Sequence, residues 1–247
     1  MRRPLAGVDT LFNTYWIRFA KGELTHQRAA DNTRELIHAA EDAGVRRIVH
    51  VSITNAMADS PLPYFRGKAE VEDAVKRSGM SHAILRPTVI FDAEDILTNN
   101  IAWLLRRFPV HPIFGSGRYR VQAIFVDDLA RLAIEVGERT DNVALDAVGP
   151  DVLTYREMVG LIATKIGARS KLVRVSPRLA MPASKLMGLI VRDVVLTKDE
   201  LDGLMADLLV SKSGEPPPGK TRFSNWLDAH APELGMRYSS ELVRHYK

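Results

Sequence analysis

Tyr64 and Lys68 are four residues apart at the start of a predicted helix, so their side chains share one face about one turn apart. An ammonium group near a phenol favours the phenolate, and such a phenol can exchange a proton with a carbonyl or alcohol oxygen. Ser52 ends the preceding strand and could hydrogen-bond the same oxygen. On spacing alone, a surface tyrosine beside a solvated lysine is the more frequent arrangement, and it is the preceding strand, Ser52 and the helix start that favour a site.

The elements that would position these residues alternate between strand and helix through the first 150 residues or so. Strands are predicted over 7–13, 45–53, 81–91, 119–126, 142–148 and 171–175, with a loop over 109–117. Helices are predicted over 25–44, 64–78, 95–107, 127–137 and 154–167, and the remainder is mostly helical. This alternation predicts a parallel sheet, and the loops after Phe12, Ile53 and Pro87 should converge on one crevice.

Several runs resemble the atypical and extended short-chain dehydrogenase/reductases, especially the NmrA-like and complex I 39-kDa-subunit-like branch. They are SITNA from Ser52, PYFRGKAEVE over 63–72, LRPTVIF over 85–91, FVDDLA over 125–130 and DAVGP over 146–150. The resemblance implies an α/β fold with a partial doubly wound, Rossmann-like parallel sheet over 1–150. A smaller, mostly helical substrate-side lobe would follow over 151–247.

By this resemblance, Ser52, Tyr64 and Lys68 match the catalytic triad of the family, and Lys68 would also bind the nicotinamide ribose of NAD(P). The implied function is an oxidoreductase or epimerase-type enzyme acting on a small carbonyl or alcohol substrate. Two alternatives stay open, because a fold does not by itself define an activity. One is a non-catalytic dinucleotide-binding sensor or accessory subunit, and the other is a structural remnant without a ligand.

The resemblance also implies four cofactor-binding positions outside the triad. Asn13 and Thr14 match the loop that passes beside the adenosine and its ribose. Pro87 and Thr88 match a backbone segment that packs on the nicotinamide. The choice between NAD and NADP is not encoded in these positions, because the residue that reads the 2′ position follows a strand absent here.

The front of the family pattern is missing, since the chain contains no Gly-x-x-Gly-x-x-Gly turn. By resemblance the first strand here matches the fourth strand of the family. We therefore expect an N-terminally truncated domain, from a gene start placed too late or a fragment, with a hydrophobic sheet edge at 8–12. A homo-oligomer contact or a partner would otherwise have to cover that edge.

Composition limits the remaining classes of function. The chain has 247 residues, a net charge of +4 and no cysteine, which excludes disulfides and thiolate metal sites and is typical of a cytoplasmic protein. No basic stripe indicates nucleic-acid binding, no histidine spacing indicates a metal site, and no segment is apolar enough to span a membrane.

Two apolar segments have more than one interpretation. Tyr15, Trp16 and Phe19 are equally typical of a substrate pocket and of plain core packing. The most apolar stretch, 179–196, is interrupted by Lys185, Arg192 and Asp193, so we expect a buried or lid-like amphipathic helix rather than a membrane anchor.

Overall fold

The computed structural model describes residues 5–246 of the chain. Its strands are β1 (Thr10–Asn13), β2 (Arg47–Val51), β3 (Ser81–Pro87), β4 (Ile90–Phe91), β5 (Val110–Phe114), β6 (Arg120–Val121), β7 (Ile124–Phe125), β8 (Val143–Ala147), β9 (Leu153–Thr154) and β10 (Lys171–Val175). Its helices are α1 (His26–Asp42), α2 (Pro63–Arg77), α3 (Ile96–Arg107), α4 (Val126–Gly137), α5 (Tyr155–Lys165), α6 (Ala180–Val191), α7 (Lys198–Met205), α8 (Phe223–His230) and α9 (Glu241–His245).

The chain forms two compact units that interleave along the sequence. The first contains residues 5–88, 127–148 and 211–218, and the second contains 89–126, 149–210 and 219–246. The sequence suggests one boundary at residue 150, and the chain does enter the second unit after Val148. Residues 89–126, however, also belong to the second unit.

The first unit is built on a four-stranded sheet in the order β1-β2-β3-β8, with every pair parallel. Strands β2 and β3 are both buried almost throughout, and for β2 the β-branched sequence predicts this. Helices α1 and α2 pack on this sheet, and Thr25 caps α1 by accepting a hydrogen bond from the backbone of Arg28. The predicted parallel α/β fold is therefore confirmed.

Strand β1 lies at one edge of this sheet. Within residues 5–246 it pairs with β2 alone. Phe12 is about half exposed, and its ring packs so closely on Gly137 that a Cβ there would lie 2.8 Å from the ring. Strand β1 is therefore an edge strand of the described sheet, and its outer backbone groups face away from β2.

The second unit has its own apolar core, formed by α3, α5 and α8 around Phe91, Trp226 and Leu227. Its short strands pair as β5 with β10, β4 with β7 and β6 with β9. The structure corrects two predictions here. The predicted loop 109–117 contains β5, which gains a parallel partner 61 positions later in β10 (Val110 with Lys171). The predicted strand 81–91 divides into β3 and β4, which belong to different units.

In the part of the chain that the structure describes, no helix has both the length and the apolar character needed to cross a membrane.

Candidate functional site

The predicted site lies at the carboxyl ends of β1, β2 and β3. Asn13 is the last residue of β1 and pairs in register with His50 of β2. The backbone N–H of Ser52 donates to the carbonyl oxygen of Leu85 at 2.7 Å, and the N–H of Thr54 donates to the carbonyl oxygen of Pro87 at 2.9 Å. The segment after β2 therefore stays paired with β3. Ligands of open parallel sheets bind at such an edge.

Helix α2 brings Lys68 to this edge. The helix begins at Pro63, whose fixed φ suits the first helical position. The side chain of Lys68 is buried, and its Nζ donates to the carbonyl oxygen of Val51, the last residue of β2, at 2.8 Å. The ammonium group therefore lies beside the end of a central strand and away from solvent.

Trp16 joins Lys68 to Tyr64. The Nζ of Lys68 lies 4.7 Å from the centre of the Trp16 ring, a cation–π distance, and the Tyr64 ring meets Trp16 edge-on at 6.0 Å between ring centres. His26 packs on both rings, 6.0 Å from Trp16 and nearly parallel to it, and 5.6 Å from Tyr64 at a steep angle. Trp16 thus packs against two of the predicted catalytic residues.

Burial sets the protonation of Lys68. Removal of the ammonium from water lowers its pKa from 10.5 to about 7, although the nearby carboxylate of Glu72 acts in the opposite direction. At neutral pH the charged and neutral forms are therefore both populated. A buried lysine with a pKa near 7 at the carboxyl edge of a parallel sheet is a common feature of functional sites.

The side chain of Ser52 is hydrogen-bonded to Glu72. Its buried hydroxyl donates to Oε1 of Glu72 at 2.7 Å. Glu72 also accepts two hydrogen bonds from Arg86, at 2.9 Å from Nε and 2.6 Å from the terminal nitrogen. Burial alone would raise the pKa of Glu72, but the hydrogen bonds from Arg86 and Ser52, together with the charges of Arg86 and Lys76, hold that pKa below its usual value. The Ser52 hydroxyl is therefore tied to α2 through the carboxylate of Glu72, which lies one turn beyond Lys68.

The predicted cofactor loop at β1 is held by a buried amide–imidazole pair. The Nδ2 of Asn13 donates to Nδ1 of His50 at 3.0 Å, while Oδ1 of Asn13 accepts from the backbone of Tyr15 at 3.1 Å. Burial, with the charge of Lys68 as a second cause, holds the pKa of His50 well below 6.5, so His50 is neutral. Its Nε2 is buried and has no hydrogen-bond partner within residues 5–246.

The other predicted cofactor positions differ in exposure. Thr14 is exposed directly after β1, whereas Pro87 and Thr88 are buried where β3 ends. Pro87 also accepts the hydrogen bond from Thr54 described above. These positions share the carboxyl edge of the sheet with Lys68, and their role toward a cofactor stays a prediction.

Three residues of this region were missed at the level of sequence: Glu72, Arg86 and His50. Glu72 continues the spacing of Tyr64 and Lys68 by one more turn, so an i, i+4, i+8 pattern on α2 was available as a signal. Arg86 and His50 lie within apolar strands, where the sequence gives no partner for them. Their partners come from elements that only the tertiary fold brings close.

Gly67 allows the indole of Trp16 to lie against α2. A Cβ at Gly67 would lie 2.9 Å from Cη2 of Trp16, closer than real contacts. Replacing a helical glycine by alanine usually stabilises a protein by about 1 kcal/mol. We expect Gly67→Ala to show no such gain, because the clamped indole must move. Gly160→Ala in α5 is the matched control, because a Cβ there would lie 3.8 Å from its nearest neighbour, Cδ1 of Leu172. Thermal unfolding of both variants checks this, and an equal gain in Tm would contradict the close packing.

The parallel sheet and its flanking helices define a Rossmann-like α/β fold, a fold that commonly binds dinucleotides at this edge. Comparison with known families identifies it further: residues 1–102 match the family described as NAD(P)H-binding. Residues 1–102 therefore match an NAD(P)-binding family domain, and the predicted resemblance to the complex I branch agrees with the curated relatives. The solved structures agree in fold.

Relatives and structural neighbours agree with this class. NADH dehydrogenase [ubiquinone] 1 alpha subcomplex subunit 9 of Arabidopsis thaliana is 27% identical over 70% of the chain and 46% of its own length. Ceramide reductase of Caulobacter vibrioides is 33% identical over 58% of the chain and 45% of its own length. The NADPH-dependent quinone oxidoreductase QOR2 of Escherichia coli, solved with NADPH, is 22% identical, with a TM-score of 0.68 over 91% of the chain and 77% of its own. The chain spans about half the length of the curated relatives it matches.

Proposed function

We propose that the chain belongs to an NAD(P)-dependent oxidoreductase acting on a small carbonyl or alcohol substrate, with Tyr64 as the proton-exchanging group. The observation that carries this proposal is the buried Lys68, which has a pKa of about 7 and contacts the Trp16 ring, against which the Tyr64 ring also packs. The reductase- and epimerase-like fold of the NAD(P)-binding domain supports it.

The residues at the sheet edge suit a dinucleotide. An ammonium group has three N–H donors, and one described hydrogen bond, to Val51, leaves two that could hold ribose hydroxyls. The buried indole Nε1 of Trp16 has no acceptor within residues 5–246, which adds a donor beside Lys68. We propose that Lys68, Asn13 and Thr14 hold the ribose side and that Pro87 and Thr88 pack on the nicotinamide. The bound cofactor would supply hydride transfer.

Tyr64 would then move a proton between its phenolic oxygen and the substrate oxygen. A charged Lys68 on the same helix face would favour the phenolate, and the burial of Lys68 reduces the screening of its charge by water. Ser52, held by Glu72, would fix α2 against the end of β2 and so position Tyr64 and Lys68, rather than bind the substrate oxygen itself.

Tyr64→Phe tests the proposal, because it removes the hydroxyl and keeps the ring packing on Trp16. We expect NADPH oxidation with a panel of carbonyl substrates to fall by about 10²- to 10⁴-fold, the usual contribution of general acid–base catalysis. Tyr15→Phe is the control, since that hydroxyl is exposed and contacts Asn32. NADPH binding, followed by its fluorescence, should be unchanged in both variants.

A second function is favoured by one observation. The hydroxyl of Ser52 is committed to Glu72, which leaves the proposed triad without its third member on the substrate oxygen. A non-catalytic dinucleotide-binding accessory subunit needs no such group, and several relatives are named as subunits of NADH dehydrogenase. Equal inactivity of the wild type and Tyr64→Phe, with NADPH still bound, would select this function over catalysis.

We also propose a cytoplasmic location, on the absence of cysteine, and a homo-oligomer or partner contact along the outer edge of β1. An unpaired strand edge is a surface that proteins usually cover. Sedimentation velocity over a concentration series tests the contact between copies.

A further inference from the structure

Helix α6 presents small residues to the rest of its unit. Ala180, Ser184 and Gly188 follow one another at intervals of four residues and so lie on one side. Ala180 is fully buried, and the hydroxyl of Ser184 both donates to the carbonyl of Leu196 at 2.9 Å and accepts from its N–H at 3.1 Å. At Gly188 a Cβ would lie 2.7 Å from the carbonyl oxygen of Asp193. The following segment therefore packs directly on the backbone of α6.

The large apolar residues of this region point the other way. Leu179, Leu186, Leu189 and Ile190 are between 55% and 78% exposed, and Leu189 is the most exposed of them. A surface helix usually buries its large apolar side chains and exposes small or polar ones. Here the arrangement is inverted, contrary to a buried helix, one of the two arrangements that the sequence predicts for this stretch. We define the apolar face of α6 as these four residues, of which Leu179 lies in the turn just before the helix.

The sequence that carries α6 has only positive charges up to Asp193, which directly follows Arg192. Residues 158–192 contain seven Lys and Arg and no Asp or Glu. Of these, Arg178, Lys185 and Arg192 recur every seven residues, which is about two helical turns, and all three are exposed. Within residues 5–246 none of the three forms an ion pair. The apolar face of α6 is therefore bordered by cations that no carboxylate of the described chain neutralises.

We propose that the apolar face of α6 docks on the surface of an anionic lipid bilayer. Such a surface offers both hydrocarbon for the leucines and phosphate for the cations, and interfacial helices combine these two features. Two copies of the face would instead oppose like charges, which disfavours self-association. With 12 residues, α6 is about 18 Å long and cannot span a hydrocarbon core of about 30 Å, so it would lie in the plane of the interface.

Vesicle sedimentation tests this proposal with the 247-residue chain. We expect binding to vesicles of phosphatidylcholine with phosphatidylglycerol, much weaker binding to phosphatidylcholine alone, and loss of binding on raising NaCl from about 0.05 M to about 0.5 M. Leu189→Ser/Ile190→Ser should weaken binding by about tenfold or more. Ile134→Ser/Val243→Ser is the matched control, because those two side chains are also more than half exposed but lie on other helices.

A second pair of variants tests the charge independently of the leucines. Arg178→Glu/Lys185→Glu should abolish binding to the anionic vesicles, whereas Arg77→Glu/Lys212→Glu, with the same change in net charge, should retain it. Equal binding of all four double variants, or equal binding to neutral and anionic vesicles, overturns the proposal. So does the absence of vesicle binding together with a dimer that Leu189→Ser/Ile190→Ser dissociates, since the face would then be an interface between copies.

Discussion

Glu72→Ala is expected to destabilise the folded chain by about 3–5 kcal/mol, the usual loss when one partner of a buried ion pair is removed. The carboxylate side chain is 3% exposed and accepts hydrogen bonds from Ser52 and from two nitrogens of Arg86. Its removal leaves a buried hydroxyl and a half-buried guanidinium without their acceptor. It also takes away the negative charge that supports the buried ammonium of Lys68.

Urea unfolding at neutral pH measures this loss, with two controls on the same helix. Glu72→Gln keeps the shape and part of the hydrogen bonding, so it should cost less than Glu72→Ala. Asp73→Ala removes a half-exposed carboxylate 3.7 Å from Lys76, and we expect a change below about 1 kcal/mol. A double replacement of Glu72 and Arg86 by Met should recover much of the stability. If Glu72→Ala and Asp73→Ala lose the same small amount, the buried network is not formed in solution.

Lys68→Met is expected to stabilise the protein below neutral pH and to have little effect near pH 10. The folded chain releases the Lys68 proton near pH 7, whereas the unfolded chain holds it up to about pH 10.5. The unfolded state therefore binds more protons between these values, and the wild type gains stability as the pH rises through this window. A difference of about 3.5 pKa units corresponds to roughly 5 kcal/mol, present in full below pH 7. Methionine has a similar shape and no charge to bury.

Unfolding free energies of wild type and Lys68→Met, measured from pH 6 to pH 10, give the difference directly. It should be largest at pH 6 and shrink steadily toward pH 10. The same substitution at Lys76, two turns along α2 and 42% exposed, should change the stability by less than about 1 kcal/mol at every pH of the series. A Lys68→Met profile parallel to that of the wild type would mean that water reaches the ammonium.

The elements predicted correctly are those whose local sequence alone indicates how they pack. Strands β2 and β3 are short apolar runs in a buried parallel sheet, and α1 ends where its cap and glycine indicate. Strand β5 was not predicted, because the segment is short and contains Pro112, which are features typical of a loop. The strand forms by pairing with β10, 61 residues later. Such non-local pairing leaves no periodic signal in the segment itself.

The candidate site was predictable where spacing along one helix encodes it, as for Tyr64 and Lys68. The acceptor of the Ser52 hydroxyl was not, because Glu72 is 20 residues away and reaches Ser52 only after α2 has packed on β2 and β3. The same holds for Trp16, for which pocket lining and core packing were equally compatible with the sequence. Its contact with Lys68 depends on the small volume at Gly67, a property of two distant segments together.

The interleaving of the two units has a consequence for synthesis on the ribosome. The fourth strand of the first sheet, β8, is made only after residues 89–126 of the second unit have emerged. A ribosome that adds about 5–20 residues per second delivers β8 several seconds after β3. During that interval the free side of β3, an apolar strand, has no partner from its own sheet. An unpaired apolar strand edge of this kind makes a folding intermediate prone to misassembly, so we expect co-translational folding to be most vulnerable at this stage.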